Sequence, residues 1–197
     1  VEGDAVVGNA AGGVIEAAGP ALLLAGTASL TNAGRISSTD PTFGSDDAEG
    51  VAILAGSGGL IANTGVIESG AGAVMIGDVA DDAGELTTAI ANDGLIQARG
   101  DGVALAADIV GGLEIANTNT IVAADGPAMQ VVAGEVLLGN SGVIVSDGGT
   151  GVRLQANTVS VSNGAGALIR GGGGGEENGG MAVLGRTVDI SNAGVIT

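Results

Sequence analysis

The side chains that could do chemistry in this chain are carboxylates. It carries 22 Asp and Glu against five basic residues, Arg35, Arg99, Arg153, Arg170 and Arg186, and has no His, Cys or Lys. Without His it lacks the commonest general base and metal ligand. Without Cys it has no disulfide or thiol chemistry. Without Lys a Walker phosphate loop is excluded, so the run Gly171–Gly175 reads as a loop tip. Two chemistries remain for the acids. One is Ca²⁺ binding, which takes several carboxylate and carbonyl oxygens in a flexible shell. The candidate ligands are Asp46, Asp47, Glu49, Asp78, Asp81, Asp82, Asp125 and Asp147, although EF-hand spacing and the calcium β-roll nonapeptide are both absent. The other is cleavage of an acidic polysaccharide by a carboxylate pair such as Asp46-Asp47 or Asp81-Asp82. That reaction also wants a nearby Arg or Lys and aromatic platforms for sugar rings. Phe43 is the sole aromatic and reads as a staple for its own loop. No catalytic or cofactor-binding residue is therefore assigned, and a carbohydrate-active β-helix enzyme stands as the alternative reading.

All of these acids but Asp125 and Asp147 lie where a regular repeat is interrupted. The pattern apolar-x-Asn-x-small-x-apolar occurs as Leu30-Thr31-Asn32-Ala33-Gly34-Arg35-Ile36, and again around Asn63 and Asn92. Close copies centre on Asn140 and Asn192, looser ones on Asn117 and Asn163, and Asn9 begins a degenerate first copy. Successive anchors are 23, 31, 29, 25, 23, 23 and 29 residues apart. The minimum of 23 sets the repeat and the excess falls in insertions at 38–49, 77–85 and 170–179. A fixed period of this size marks a solenoid.

A second motif, Gly-x-x-apolar, sits between anchors, as in Gly50-Val51-Ala52-Ile53 and Gly102-Val103-Ala104-Leu105. Its other copies begin at Gly19, Gly72, Gly126, Gly151 and Gly180. Period-2 alternation points the first and third residues after the Gly inward. Around each Asn, the residue two before, the Asn itself and the residues two and four after share the inner face. A further inward apolar position lies four before it, at Leu113, Val136, Val159 and Val188.

Composition agrees with thin, repeated layers. Gly is 40 of 197 residues, too dense for helical repeats. Hydrophobic residues make up 45% but aromatics only 1%, so the core must be Val, Ile, Leu, Met and Ala. Mean hydropathy of +0.50 argues against disorder despite a net charge of −17. The expected fold is all-β: one right-handed parallel β-helix over 1–197, about seven coils of roughly 23 residues, with three short strands each. Asn32, Asn63, Asn92, Asn117, Asn140, Asn163 and Asn192 should form a buried ladder, because an inward polar group must be hydrogen-bonded. The Gly two residues after most of these Asn should supply the bend. One corner should stack carboxylates, from Glu16 through Glu68, Asp101, Asp125 and Asp147 to Glu176-Glu177, at about 4.8 Å per coil.

Five scattered Arg on so acidic a chain make a nucleic-acid partner unexpected. No apolar run approaches the roughly 20 residues that span a bilayer, so no membrane insertion is expected. The chain opens at Val1 with no signal peptide in view and reads as a processed chain or a segment of a longer repeat protein. Outward apolar residues (Leu60, Val66, Leu95, Leu137, Val143 and Val195) suggest packing between faces. Neither end carries a polar cap, which suggests stacking through the coil ends.

The repeat V/I/L-x-N-x-G-x-I followed by G-x-A-L resembles the passenger repeats of bacterial secreted adhesins, the autotransporter and filamentous-haemagglutinin-like group. The likeness runs over nearly the whole chain. It implies a right-handed β-helix, an extracellular or bacterial cell-surface location and a host or cell-surface receptor as partner. The resulting expectation is a non-enzymatic rod that builds a surface filament or layer, or displays adhesive loops.

Overall fold

The computed structural model describes residues 5–24, 26–40, 50–77, 86–172 and 179–197. Among them there is no helix; every element is a strand paired in parallel with its equivalent one coil away. The chain winds into a parallel β-solenoid of about seven turns.

Three rows of strands build each turn. The Asn row begins with Val6–Asn9, Ser29–Asn32, Leu60–Asn63, Thr88–Asn92 and Gly112–Asn117. The Ile row follows each Asn and forms its own eight-stranded sheet, from Val14–Ala17 to Val195–Ile196. The third row starts with Leu22–Leu24, Ile53–Gly56, Val74–Gly77 and Leu105–Asp108. In the last three coils the third row and the Asn row fuse into single strands, Met129–Asn140, Val152–Asn163 and Met181–Asn192. Three separate strands per coil therefore hold for the earlier turns only. The corner between those rows explains the change. Gly26 and Gly58 occupy it with φ of 78° and 84°, in the left-handed region that interrupts a strand. Ala133-Gly134, Ala156-Asn157 and Gly185-Arg186 occupy it later, and pairing resumes one residue beyond.

The core is a set of identical columns. Ile36, Ile67, Ile96, Ile121, Ile144 and Ile169 stack in register through the Ile row, and all are fully buried. Burying each such side chain contributes about 1.5–3 kcal/mol. Leu113, Val136 and Val159 are buried as their spacing requires, whereas Val188 in the last coil is 43% exposed.

The Gly-x-x-apolar alignment needs a correction. Strand pairing aligns Leu22, Ile53, Val74, Leu105, Met129, Val152 and Met181. Gly72 is thus one residue out of phase, and Val74 and Ile76 are buried where Met75 was expected. Gly151 and Gly180 are two residues out, which preserves the inward parity. The cause is a turn of variable length: five steps lead from Ser69 to Val74, but seven from Ala98 to Leu105. Buried serines latch this turn. Ser146 Oγ donates to the Gly126 carbonyl at 2.7 Å and accepts from the Gly149 amide at 2.6 Å, and Ser69 does the same between Gly50 and Ala71.

The Gly two residues after most of the Asn anchors also has a different reason from the one its sequence suggests. Gly34, Gly65, Gly94 and Gly142 are not among the positive-φ glycines. An added Cβ at each would strike a backbone carbonyl of the coil before it. Close stacking, rather than the bend, excludes a side chain there.

Candidate functional site

Two corners of the coil concentrate its polar chemistry. At the Asn corner, all eight anchors, Asn9 included, form one chain of side-chain amides. Each Nδ2 donates to the Oδ1 of the next Asn at 2.8 Å, from Asn9 to Asn192 without a break. Each Nδ2 also reaches a backbone carbonyl just past the next Asn, as Asn63 does with Leu95 at 3.2 Å and Asn92 with Thr120 at 3.1 Å. Asn32, Asn63 and Asn92 are fully buried, and Asn117, Asn140 and Asn163 nearly so. Among the described residues, no buried side-chain nitrogen or oxygen lacks a partner. Asn192 accepts from Asn163 but is itself exposed.

The acidic corner is built differently. Its carboxylates do not form a continuous stack. Strand pairing places Ser37 and Gln97 on either side of Glu68, and Ser37 next to Glu16. Ser37 Oγ donates to Glu16 at 3.1 Å. Glu68 is buried, and its two oxygens face Arg35 in the coil before and Arg99 in the coil after. Asp147 pairs with Arg170 at 2.8 Å in the open, and Asp101 and Asp125 are exposed turn residues. Among the described residues no three acidic side chains converge on one point. Asp46, Asp47, Glu49, Asp78, Asp81 and Asp82 lie outside the described residues, as do Phe43, Glu176 and Glu177.

Sequence reasoning missed a third feature. On the outside of the fused strands lies an open depression of about 530 Å³, reaching from the turn at Thr150 past Arg153 and Gln155 to Leu184. A second depression of about 330 Å³ continues it over the bend at Asn157 and Arg186, sharing Val132, Gln155 and Leu184. Pairing aligns Gln130 with Arg153 and Ala182, and Val132 with Gln155 and Leu184. Among the described residues, no Asp or Glu lines either depression. Arg153 Nε donates to Thr150 Oγ1 at 3.1 Å. Among the described residues, no carboxylate pairs with the exposed Arg186. The signal was faint in sequence because it needs strands from three coils and the fusion of two rows.

Of the outward apolar residues, Leu60, Leu137 and Val195 are 40%, 44% and 50% exposed, and Val66, Leu95 and Val143 are half-buried. No helix is long and apolar enough to cross a membrane, among the described residues. No protein-family model, curated protein or solved structure matches this chain. What the fold and its corners define is a parallel β-solenoid with an internal Asn ladder.

Proposed function

We propose that this chain is a non-enzymatic structural rod of the bacterial cell surface, which extends by stacking coil on coil and carries loops outward from its corners. The observation that supports this most is the unbroken register of the coils: each repeats the parallel pairing of the one before it, and the Asn rungs continue one into the next from Asn9 to Asn192. A stack in which every coil offers its neighbour the same edge, the same apolar interior and the same rung extends by simple repetition, which suits a rod. The resemblance of the repeat to adhesin passengers supports a surface location and insertions that meet a receptor.

Light scattering and negative-stain microscopy of the 197-residue chain test this reading. Rods longer than a single solenoid, shortened by Ile190→Lys, are the expected result. A monodisperse monomer of 18.4 kDa at micromolar concentration and neutral pH would overturn it.

A further inference from the structure

We infer that the turn Arg99-Gly100-Asp101 is a docking site for a receptor that reads Arg-Gly-Asp, one that takes the carboxylate on a bound divalent cation and the guanidinium in an acidic cleft. A tripeptide is short, so its setting in the fold decides whether it can be read. Two conditions apply. Both charges must be open to solvent, and the backbone between them must hold its shape before the partner arrives.

The first condition is met at both ends of the tripeptide. The chain leaves the strand Leu95–Ala98 at Arg99 and turns before Leu105–Asp108. Arg99 and Asp101 are both exposed. Among the described residues, no hydrogen bond or ion pair takes up the Asp101 carboxylate, so its oxygens are open to a hard cation. Arg99 donates through Nη2 to Glu68, yet its side chain stays 58% exposed. Glu68 is held by Arg35 as well. One carboxylate between two guanidinium groups leaves a net positive charge at this corner. A guanidinium has five donors, so others remain for an acidic cleft. A receptor that drew Arg99 away would still leave the buried Glu68 paired with Arg35, and so would not strand a charge.

The second condition is met by the coils on either side. The Arg99 amide donates to the Ser69 carbonyl of the coil before at 2.9 Å. The Gly100 carbonyl accepts from the Asp125 amide of the coil after at 3.3 Å. Gly102 is buried, and a Cβ added there would strike the backbone of Ala71. The turn is pinned from both sides, which lowers the ordering cost of binding. Its neighbours lack the charge pair. Strand pairing sets Ala98 between Ser69 and Ala123, and Ala123 beside Ser146. The residues in the place of Arg99 are therefore Gly70, Ala124 and Asp147, none of them cationic. Asp125 has no Arg two residues before it, and Asp147 is taken up by Arg170.

The contact falls on a regular turn of the flank, so it stands whether or not the chain assembles end to end. It is tested by biolayer interferometry of the full chain against a panel of purified integrin headpieces that read Arg-Gly-Asp, in Mg²⁺ and in chelator. Binding is expected in Mg²⁺ only, displaced by the free peptide Gly-Arg-Gly-Asp-Ser and not by Gly-Arg-Gly-Glu-Ser. Arg99→Gln and Asp101→Glu should each weaken it at least about tenfold, as expected for loss of a charge-assisted contact. Asp125→Asn, in the same turn one coil on, should leave it unchanged. Asp101→Glu keeps the charge at an exposed position, so an unchanged melting temperature separates lost binding from lost folding. No binding of the parent chain to any headpiece of the panel, binding that survives Asp101→Glu, or binding that persists in chelator would each overturn the proposal. None of these results bears on the length of the rods seen by light scattering.

Discussion

The two polar corners of this solenoid face the same geometric demand and meet it in opposite ways. Each must place similar groups one above another at the strand spacing of about 4.8 Å. The Asn corner does so with a neutral group that both donates and accepts, so one residue type can repeat for eight rungs. The acidic corner cannot. A carboxylate only accepts, and like charges at that spacing repel. The chain therefore breaks the column, setting Ser37 and Gln97 beside Glu68 and bringing Arg35 and Arg99 in from either side. Indefinite repetition needs a self-complementary side chain, whereas a charged one requires alternation.

The comparison is sharpest at Asn92. Replacing it with Leu removes the acceptor of Asn63 and the donor to Asn117, both buried, and should cost about 3 kcal/mol in urea unfolding. Asn92→Asp should cost at least as much at neutral pH, since the new carboxylate faces the Asn117 oxygen without a proton to share. Burial favours the neutral acid. A protonated carboxyl can donate upward again, so this variant should recover stability relative to the parent as pH falls. If both variants unfold like the parent, the ladder contributes nothing and the contrast collapses.

Glu68→Gln probes the other corner. An amide can accept from one Arg but turns a donor toward the other. Both Arg are about half exposed and solvent screens them, so the loss should be near 1 kcal/mol, smaller than at Asn92. A loss as large as at Asn92 would mean that the clamp, rather than the ladder, organises the coils. Arg170→Gln should lie within about 0.5 kcal/mol of the parent, because its pair with Asp147 is open to water. Melting in matched NaCl and CaCl₂ refines the picture. Both salts should raise the midpoint by screening the net charge of −17. A further rise specific to calcium would point to the acidic insertions.

The fold was legible because each coil repeats one inward pattern. Asn, with Ile four residues later, marks the same corner in most copies, and those two columns alone fix the register of two rows. The third row was harder. Its Gly residues belong to turns of unequal length, so Gly72 misaligned and the buried Val74 was assigned outward. The paired state of Glu68 was equally hidden, since its partners lie 33 residues before it and 31 after it, Arg35 and Arg99. Neither spacing is the repeat of 23, because insertions lengthen both coils. The depression over the fused strands was hidden for a related reason: Val132, Gln155 and Leu184 share one register although 23 and then 29 residues separate them, so a fixed repeat does not align them.

One property of the ladder reaches beyond stability. The backbone hydrogen bonds run both ways along the axis: Ser29 donates to the coil before it, and Ala21 to the coil after. Their dipoles largely cancel. The side-chain amides all donate in one direction, from Asn9 toward Asn192. Eight aligned groups of about 3.5 D sum to a moment on the order of 25 D buried along the axis. The solenoid is in this sense a bar with a sign at each end. Two such bars meeting tail to tail would set donor against donor, and only nose-to-tail contact continues the current of polarisation from one to the next.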